Sequence, residues 1–401
     1  MSSKNSVSVA ATYLRWTFLR AILHRGWWLA ASLYFVTEAN LSPLEIVLLG
    51  TAQGLTVIIF EVPAGIVADN YSRKWSIVLS QVLMGLGMLT TGLVTSFPAL
   101  VATQMIWGLS WTFASGADIA WVNDELDAPH QIGPLLARAA SWNQWGSAVG
   151  IAGLGLLAWL SSLALAMVLA GAMMLVLGAY VAWGFTERNF TRAEDSGLSG
   201  LRTTLRKGAK LVASDRSIAI ILAVTFLING ADEVFSRLLP KGLLELGLPT
   251  APDPVLWLTA LGLVTLCTGA IVLRIIQNWM SGEPRLRVLY GLACCVGGAG
   301  ILLFSVAPNH WVAMAGAILV HGIAWNAARL ISVVWINGRS QSRERATVQS
   351  FLSQAENLGE VVIGASLAVI AQSAGIHFAI LCASIVVYAA LGLIVHLRTK
   401  S

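Results

Sequence analysis

The chain has 401 residues, of which 57% are hydrophobic and only 11% are charged. A soluble domain usually has about a quarter of its residues charged, so the composition excludes a soluble domain and indicates a membrane protein with many spans. The net charge of +5 comes from basic residues in short segments between apolar runs, a pattern that orients membrane helices and does not indicate nucleic-acid binding. The four cysteines lie in apolar runs without neighbouring metal ligands, so we expect no metal site and no cofactor.

Apolar runs predict an all-α integral membrane protein with twelve spanning helices. The first six spans cover about residues 14–36, the segment from 43 into the charged stretch 61–74, and residues 75–95, 99–122, 135–159 and 163–185. The second six cover about residues 217–239, 255–278, 286–307, 311–336, 346–371 and 376–397. They form two six-helix bundles, at 14–185 and 217–397, with tails at 1–13 and 398–401.

The linker between the bundles, residues 186–216, sets the predicted orientation. It contains seven basic and four acidic residues. Short segments with excess positive charge stay in the cytoplasm. We therefore expect both termini to be cytoplasmic in a multi-pass protein.

The first predicted span contains three basic residues. Arg20 is expected to extend its side chain to the inner membrane surface. His24 and Arg25 fall near the middle of the bilayer, where a charged side chain is costly unless it faces a partner or a water-filled cavity. These two residues are candidates for binding an anion or for pairing with acidic residues of the second bundle.

The stretch EVPAGIVADNYSRK, residues 61–74, places charges between two apolar runs. Its small residues allow two helices to approach closely, while Asp69 ends one helix and Arg73-Lys74 open the next. The spacing of Gly65, Asp69 and Arg73-Lys74 resembles the signature loop between helices 2 and 3 of the major facilitator superfamily of secondary transporters. The preceding Glu61-x-Pro63 resembles a bacterial drug-efflux subset of it.

The resemblance implies a fold of two parallel six-helix halves that work by alternating access around a site at their interface. It also implies that an acidic residue at the inner end of helix 4, Asp124 or Glu125, meets Arg73 and holds the inner side closed. We refer to this predicted contact as the latch. The other residues assigned to the latch are Glu61, Pro63, Gly65, Asp69, Lys74 and Arg138. An internal repeat supports duplication, because Trp121-Val-Asn123 and Trp335-Ile-Asn337 end corresponding spans, and an arginine (Arg138 and Arg345) opens the next span in each half.

Other segments extend the resemblance and also depart from it. Helix 7 carries Gly230-Ala-Asp232-Glu233-x-x-x-Arg237, similar to a recurring motif of the efflux subset. The arginine that many proton-coupled members have in helix 4 is replaced here by Gln104. The helix 5 glycine motif typical of antiporters keeps Gly146, Gly150 and Gly153 but has Ile151 at the proline position. These glycines are equally typical of ordinary helix packing.

Ionisable residues inside the membrane are the candidates for proton coupling or substrate binding. Glu356 and Glu360 lie one turn apart on helix 11, and carboxylates that share a face favour proton binding. The alternative is that they pair with Arg329 or line a hydrated cavity. Asp118 is a further candidate, although an inner charge network with Arg138 is the preferred interpretation. Two amides complete the candidate set, Asn143 and Gln144.

Asp232, Glu233 and Arg237 lie in the outer half of helix 7, and Glu233 and Arg237 have the spacing of an intrahelical ion pair. We interpret these three residues as an outer gate. No intramembrane protease motif, nucleophile motif, zinc motif or phosphate-binding loop occurs in the sequence, which argues against an enzyme.

The resemblance therefore implies a monomeric, proton-coupled exporter of small amphipathic, drug-like compounds in a bacterial inner membrane. Such a multidrug-resistance antiporter would have substrate, protons and membrane lipid as its partners. Uptake by symport or uniport is the alternative. A non-transporting sensor or scaffold is the remote one.

Overall fold

A computed structural model of the chain describes residues 2–126, 129–192, 212, 215–339 and 345–396. All regular elements within these ranges are helices. Most of the predicted linker 186–216 lies outside the described residues, and the predicted tail 398–401 lies outside them completely.

The first half of the chain forms α1 (Ser2–Thr37), α2 (Pro43–Asn70), α3 (Arg73–Thr91), α4 (Phe97–Ala114), α5 (Ala117–Leu126), α6 (Pro129–Leu160) and α7 (Leu163–Gly184). The first helix begins at Ser2, so the polar segment predicted as a tail continues the helix of the first span. Asp69 lies at the end of α2 and Arg73 begins α3, with only Tyr71 and Ser72 between these helices. The stretch 61–74 is therefore mostly helix.

The second half forms α8 (Arg216–Glu245), α9 (Pro254–Ile276), α10 (Glu283–Ser305), α11 (His310–Ala317), α12 (Trp325–Arg339), α13 (Arg345–Gly359), α14 (Ala365–Ala374) and α15 (Ile376–Val395). A π-helical segment at Ile318–Ala324 joins α11 to α12, and a second at Glu360–Gly364 joins α13 to α14. The two joined pairs form one continuous helix each.

Eight helices among the described residues are long and apolar enough to cross a membrane. They coincide with predicted spans 2 and 6 to 12, and they are Pro43–Asn70, Leu163–Gly184, Arg216–Glu245, Pro254–Ile276, Glu283–Ser305, His310–Arg339, Val348–Ala374 and Ile376–Val395. The segments predicted as spans 1, 3, 4 and 5 are helical as well. The chain is a multi-pass membrane protein, and the total of twelve crossings stays a prediction.

The segment predicted as span 4 differs from the expectation of one continuous helix. The helix is interrupted at Ser115-Gly116, between α4 and α5. Gly116 has a φ of +75°, a backbone conformation that residues with a Cβ rarely adopt. The interruption therefore depends on glycine at this position, and it lies two residues before the candidate Asp118.

Two compact units divide the helices. The first contains Met1–Asn40, Leu55–Leu198 and Val255–Thr259, and the second contains Leu41–Gly54, Ser199–Pro254 and Ala260–Ser401. The division differs from the predicted bundles because the first part of α2 packs within the second unit. Gly50 and Gly54 make this packing possible, since a Cβ at Gly50 would overlap the side chain of Glu233 and one at Gly54 would lie 3.1 Å from Val361.

Glycines bring α1 and α6 together in the first unit. A Cβ at Gly146 would lie 2.5 Å from the carbonyl oxygen of Phe18, and one at Gly150 would overlap the carbonyl oxygen of Ile22. A Cβ at Gly153 would have no atom within 4 Å. Two of the three glycines of the antiporter-like motif thus serve as close helix contacts, as small residues do in membrane interfaces.

The second unit uses glycines in the same way between α8 and the continuous helix of α13 and α14. A Cβ at Gly230 would lie 2.6 Å from the carbonyl oxygen of Gly359, and a Cβ at Gly359 would overlap that of Phe226. This contact fixes the distance between the backbones of α8 and α13. Both helices carry acidic candidates.

Candidate functional site

Charged side chains at the end of α2, the start of α3, the end of α5 and the segment after α7 form a cluster that we name the latch cluster (Asp69, Arg73, Asp124, Glu125 and Glu187). Arg73 forms an ion pair with Asp124 through its Nη1 atom. The Nη2 atom of Arg73 lies 3.8 Å from Oδ1 of Asp69. The structure thus assigns Asp124, and not Glu125, as the partner of Arg73.

The other two carboxylates of the latch cluster bind backbone groups. Glu125 is buried, and its Oε1 accepts hydrogen bonds from the backbone N–H groups at 188 and 189, at 2.7 and 2.8 Å. Glu187 accepts from the Ser72 hydroxyl at 2.5 Å and from the Lys74 backbone N–H at 3.0 Å. Glu187 therefore satisfies a donor that the start of α3 would otherwise leave unpaired. The two glutamates tie the segment after α7 to α3 and α5.

The small residues of the stretch 61–74 do not all make the expected contacts. Ala64 and Ala68 are buried. A Cβ at Gly65, however, would meet no atom within 4 Å, so the expectation of close helix approach at Gly65 is wrong for this structure. Glu61 and Pro63 lie inside α2, with Pro63 exposed and Glu61 partly buried.

The remaining basic residues assigned to the latch stay apart from its ion pair. The ammonium group of Lys74 lies 5.6 Å from the ring centroid of Trp75. Arg138 is exposed on α6 and forms no ion pair with any residue that the structure describes. The structure therefore does not bring Asp118 and Arg138 together.

A second ion cluster lies in the second unit, at the ends of α8, α10 and α12. Arg339 forms an ion pair with Asp215 at 2.8 Å and also pairs with Glu283. Trp335 donates from its indole N–H to Glu283 at 3.2 Å. Partial burial acts to raise the pKa of Asp215, but hydrogen bonds from Arg339 and from the backbone N–H of Ser217 outweigh it and hold the pKa below its usual value.

Basic and aromatic side chains of α1 and α4 form a cluster inside the first unit, which we name the aromatic cation cluster (Trp16, Arg20, His24, Trp107 and Trp111). The guanidinium carbon of Arg20 lies 4.6 Å from the ring centroid of Trp111 and 5.4 Å from that of Trp16. His24 stacks on Trp107, with 5.5 Å between centroids, and it meets the edge of Trp111 at 5.2 Å.

The position of Arg20 corrects the expectation that its side chain reaches the membrane surface. Its Nε and Nη2 atoms are inaccessible to solvent, because the guanidinium lies between two indole rings. Asp118 lies within electrostatic range of Arg20, although the distance exceeds that of an ion pair. Oδ1 of Asp118 instead accepts from the Ile119 backbone N–H at 2.8 Å.

Three other candidates of the first unit lie outside this cluster. Arg25 and Asn143 are exposed, and Gln144 is partly exposed. Gln104, which replaces the expected helix 4 arginine, is fully buried and lies 3.5 Å from the hydroxyl of Thr91. Since α4 has no arginine at this position, the buried cation in this part of the first unit is Arg20 of α1.

An ion pair that contains a buried arginine lies in the second unit. Arg237 donates from Nε to Glu233 at 2.5 Å, as their spacing on one helix predicts. The side chain of Arg237 is only 5% exposed, and its Nη2 atom donates to Gln53 of α2 at 3.1 Å. The outer-gate residues thus bind the part of α2 that belongs to the same unit.

Asp232 forms a separate contact with a histidine from the π-helical segment Ile318–Ala324. Nε2 of His321 lies 2.9 Å from Oδ1 of Asp232 and 3.1 Å from the hydroxyl of Ser236. The same hydroxyl lies 3.2 Å from Asp232. The three polar groups form a closed network on neighbouring helices.

The two glutamates of predicted span 11 differ in their surroundings. Oε1 of Glu356 lies 3.9 Å from Nε of Arg329, whose side chain is 77% exposed, so this pair contributes little to stability. Glu360 lies within electrostatic range of Glu233, Glu356 and Asp232. The opposing cation in this range is Arg237.

Interruptions of regular helix occur beside titratable side chains in both units. Asp118 follows the break at Gly116, His321 lies within one π-helical segment, and Glu360 begins the other. Such π-helical segments are frequent at functional sites because they displace side chains from the regular register. The irregular backbone therefore supports a functional role for these residues.

Comparison with known proteins decides the family. The sequence profile of the Major Facilitator Superfamily matches residues 16–364. The chain belongs to the Major Facilitator Superfamily. It is accordingly a membrane transporter of that superfamily, whose substrates are small molecules.

Solved structures of superfamily transporters share the fold of the whole chain. A mutant form of the nucleoside transporter NupG matches with a TM-score of 0.80 and 13% identity, covering 96% of this chain and 99% of that chain. A bacterial homologue of the human lysosomal transporter Spinster matches with a TM-score of 0.74 and 12% identity, over 98% and 97%. A D-xylose–proton symporter matches with a TM-score of 0.69 and 14% identity, over 97% and 96%. No curated protein matches the sequence.

Several polar contacts of this superfamily member escaped the sequence analysis. The side chains of Glu187, Asp215 and Glu283 bind partners more than fifty residues away in sequence. No local sequence pattern predicts such pairs. Gln53 carries no charge and therefore was not among the ionisable candidates. The aromatic cation cluster did have a sequence signal, because Arg20 lies one turn from His24 on the same helix.

Proposed function

We propose that the protein is a proton-coupled secondary transporter that works by alternating access, with Glu360 as the group that takes up and releases the proton. The observation that supports Glu360 is its position among the three carboxylates of Glu233, Glu356 and Asp232. Carboxylates close together repel one another while ionised, and one bound proton relieves that repulsion. Glu356 ranks second, because the nearby Arg329 guanidinium favours the ionised form of this carboxylate.

We further propose that the transported compound is a small amphipathic organic molecule and that the direction is export. The resemblance of Glu61-x-Pro63-x-Gly65 to the drug-efflux subset supports export. Uptake is the second candidate, because one protein of the same fold is a D-xylose–proton symporter and another is a nucleoside transporter. The glycine motif of α6 adds no support to export, since Gly146 and Gly150 are explained by packing against α1.

We also propose that the protein is a monomer in a bacterial inner membrane and that the latch lies on the cytoplasmic side. The ion pair between Arg73 and Asp124 supports the latch. A partly buried pair that is made in one state and broken in another stabilises the state that contains it.

The experiment is substrate flux in proteoliposomes that contain an internal pH dye, with a panel of cationic, neutral and anionic amphipathic compounds. Wild type is compared with Glu360→Gln and Glu356→Gln, which keep the shape of the side chain. Arg274→Gln serves as the control, because Arg274 is an exposed charge at the end of α9. We expect substrate-dependent proton movement in wild type and in the control, and its loss in Glu360→Gln.

The direction follows from the sign of the pH change. Proton movement opposite to the substrate indicates export by antiport, and movement with the substrate indicates symport. Flux without proton movement, unchanged in both glutamine variants, would refute the coupling role and leave a uniporter. The absence of flux for every compound would favour the non-transporting sensor or scaffold.

A further inference from the structure

The aromatic cation cluster of the first unit contains buried polar atoms that the fold leaves without hydrogen-bond partners. Nε and Nη2 of Arg20, Nε1 of Trp16, Nε1 of Trp107 and Nε2 of His24 are inaccessible to solvent and have no partner among the described residues. Four of these five nitrogens are obligatory donors. Buried donors are costly unless an acceptor binds them.

Ring contacts connect the residues that carry these donors. Arg20 contacts the rings of Trp16 and Trp111, and His24 contacts those of Trp107 and Trp111. Both basic residues come from α1 at a spacing of four, so they lie on one face of that helix. The indole rings of Trp16 and Trp111 lie against Arg20, and that of Trp107 stacks on His24. Indole rings supply apolar area together with an N–H group.

We infer that the aromatic cation cluster is the subsite for the carboxylate of a planar organic anion, so that the transported compound is an aromatic or otherwise flat carboxylic acid in its ionised form. The inference deepens the transport function proposed above and rests on it. A guanidinium presents a planar set of donors that matches two carboxylate oxygens. The neighbouring indole faces match a flat apolar body, and a cationic compound would meet the positive charge of Arg20.

Asp118 supplies the counter-charge for Arg20. It lies within electrostatic range of Arg20 without forming an ion pair, and it follows the helix break at Gly116. A substrate carboxylate and Asp118 therefore compete for the same guanidinium. Removal of the aspartate charge strengthens the binding of an anion, whereas removal of the arginine charge weakens it.

The test is direct binding to the purified full-length chain in nanodiscs of zwitterionic lipid. Radiolabelled indole-3-acetate is the probe, and indole-3-acetamide and tryptamine compete with it. The three compounds share one ring and carry a negative, a neutral and a positive group. We expect the carboxylate to bind at least tenfold more tightly than the amide, and the amine to bind more weakly than the amide.

Variants then assign the carboxylate to Arg20. Arg20→Gln is expected to bind the carboxylate at least tenfold more weakly and to remove the preference over the amide. Asp118→Asn is expected to bind the carboxylate several-fold more tightly. Arg15→Gln is the matched control, because Arg15 is an exposed arginine five residues earlier on α1, and it is expected to bind as wild type does.

Three results would overturn the inference. The amide or the amine binding wild type as tightly as the carboxylate would remove the anion preference. Equal binding by Arg20→Gln and wild type would remove Arg20 from the site. Absence of measurable binding by all three compounds would remove the aromatic cation cluster as a subsite for flat carboxylates. If Arg20→Gln does not fold, the wild-type preference and the opposite effect of Asp118→Asn still decide the matter.

Failure of this inference and failure of proton coupling are distinguishable. Binding in nanodiscs requires no proton gradient and involves residues of the first unit. Proton coupling was assigned to Glu360 in the second unit. Anion binding without proton movement would contradict only the coupling, whereas proton-coupled flux of neutral compounds would contradict only the anion subsite.

Discussion

Replacement of Arg237 by methionine tests how the second unit holds its buried charges. Arg237 lies in an ion pair with Glu233 at 2.5 Å and is only 5% exposed. Its loss leaves the Glu233 carboxylate, whose side chain is 12% exposed, without its cation and within electrostatic range of Glu360. Removal of one partner from a buried pair costs about 3–5 kcal/mol, because the remaining charge stays desolvated. The hydrogen bond to Gln53 adds a loss of about 1 kcal/mol.

The assay is thermal unfolding of the detergent-purified protein in a double-mutant cycle. The variants are Arg237→Met, Glu233→Gln and the combination of both. We expect the double variant to be clearly more stable than Arg237→Met, with a coupling of about 2–3 kcal/mol, because no unpaired charge remains. Arg274→Met, which removes an exposed charge, is expected to change stability by less than about 0.5 kcal/mol.

A cost below about 1 kcal/mol for Arg237→Met, or strictly additive effects in the cycle, would refute the interpretation of a buried, mutually dependent pair.

The remaining predictions concern the latch cluster, a helix contact and the Asp215 ion cluster. Arg73→Ala is expected to lower turnover by about tenfold, equivalent to ~1.4 kcal/mol, with substrate affinity unchanged in a binding assay; unchanged flux at equal expression would contradict this. Gly359→Ala is expected to destabilise by about 1–3 kcal/mol, since the new Cβ would overlap the Phe226 carbonyl oxygen, whereas Gly392→Ala, which meets no atom within 4 Å, is expected to be neutral in the same unfolding assay. Because its pKa is lowered on folding, Asp215 contributes stability above its unfolded pKa of about 3.9, and that contribution is lost as the pH falls through the folded value. Asp215→Asn is therefore expected to flatten the loss of Tm between about pH 6 and pH 3, and an unchanged slope would rule out this contribution.

Local patterns predicted those parts of the molecule that local physics determines. Long apolar runs located the helices, and a spacing of four predicted the pair of Glu233 and Arg237. The charged ends of α2 and α3 located the latch cluster, but the choice between Asp124 and Glu125 required the structure. Both residues are acidic and adjacent, and only the direction of each side chain separates them.

Features that depend on packing were not predictable from the sequence. The π-helical segments around His321 and Glu360 arise from a change of hydrogen-bond register that no residue type specifies. The surroundings of Arg20 were misjudged because the expectation considered one helix alone, whereas Trp111 arrives from α4. The Ser-Gly pair at Gly116 was a sequence signal for the helix break. The continuous apolar pattern of the span nevertheless favoured one uninterrupted helix.

The most direct test of proton coupling by Glu360 compares two transport modes in Glu360→Gln. Exchange of labelled for unlabelled substrate across the membrane requires substrate binding and alternating access, but no net proton movement. Accumulation driven by an imposed pH gradient requires both. We expect Glu360→Gln to retain exchange near the wild-type rate and to lose gradient-driven accumulation. Accumulation at the wild-type level in this variant would contradict the assignment of the proton to Glu360.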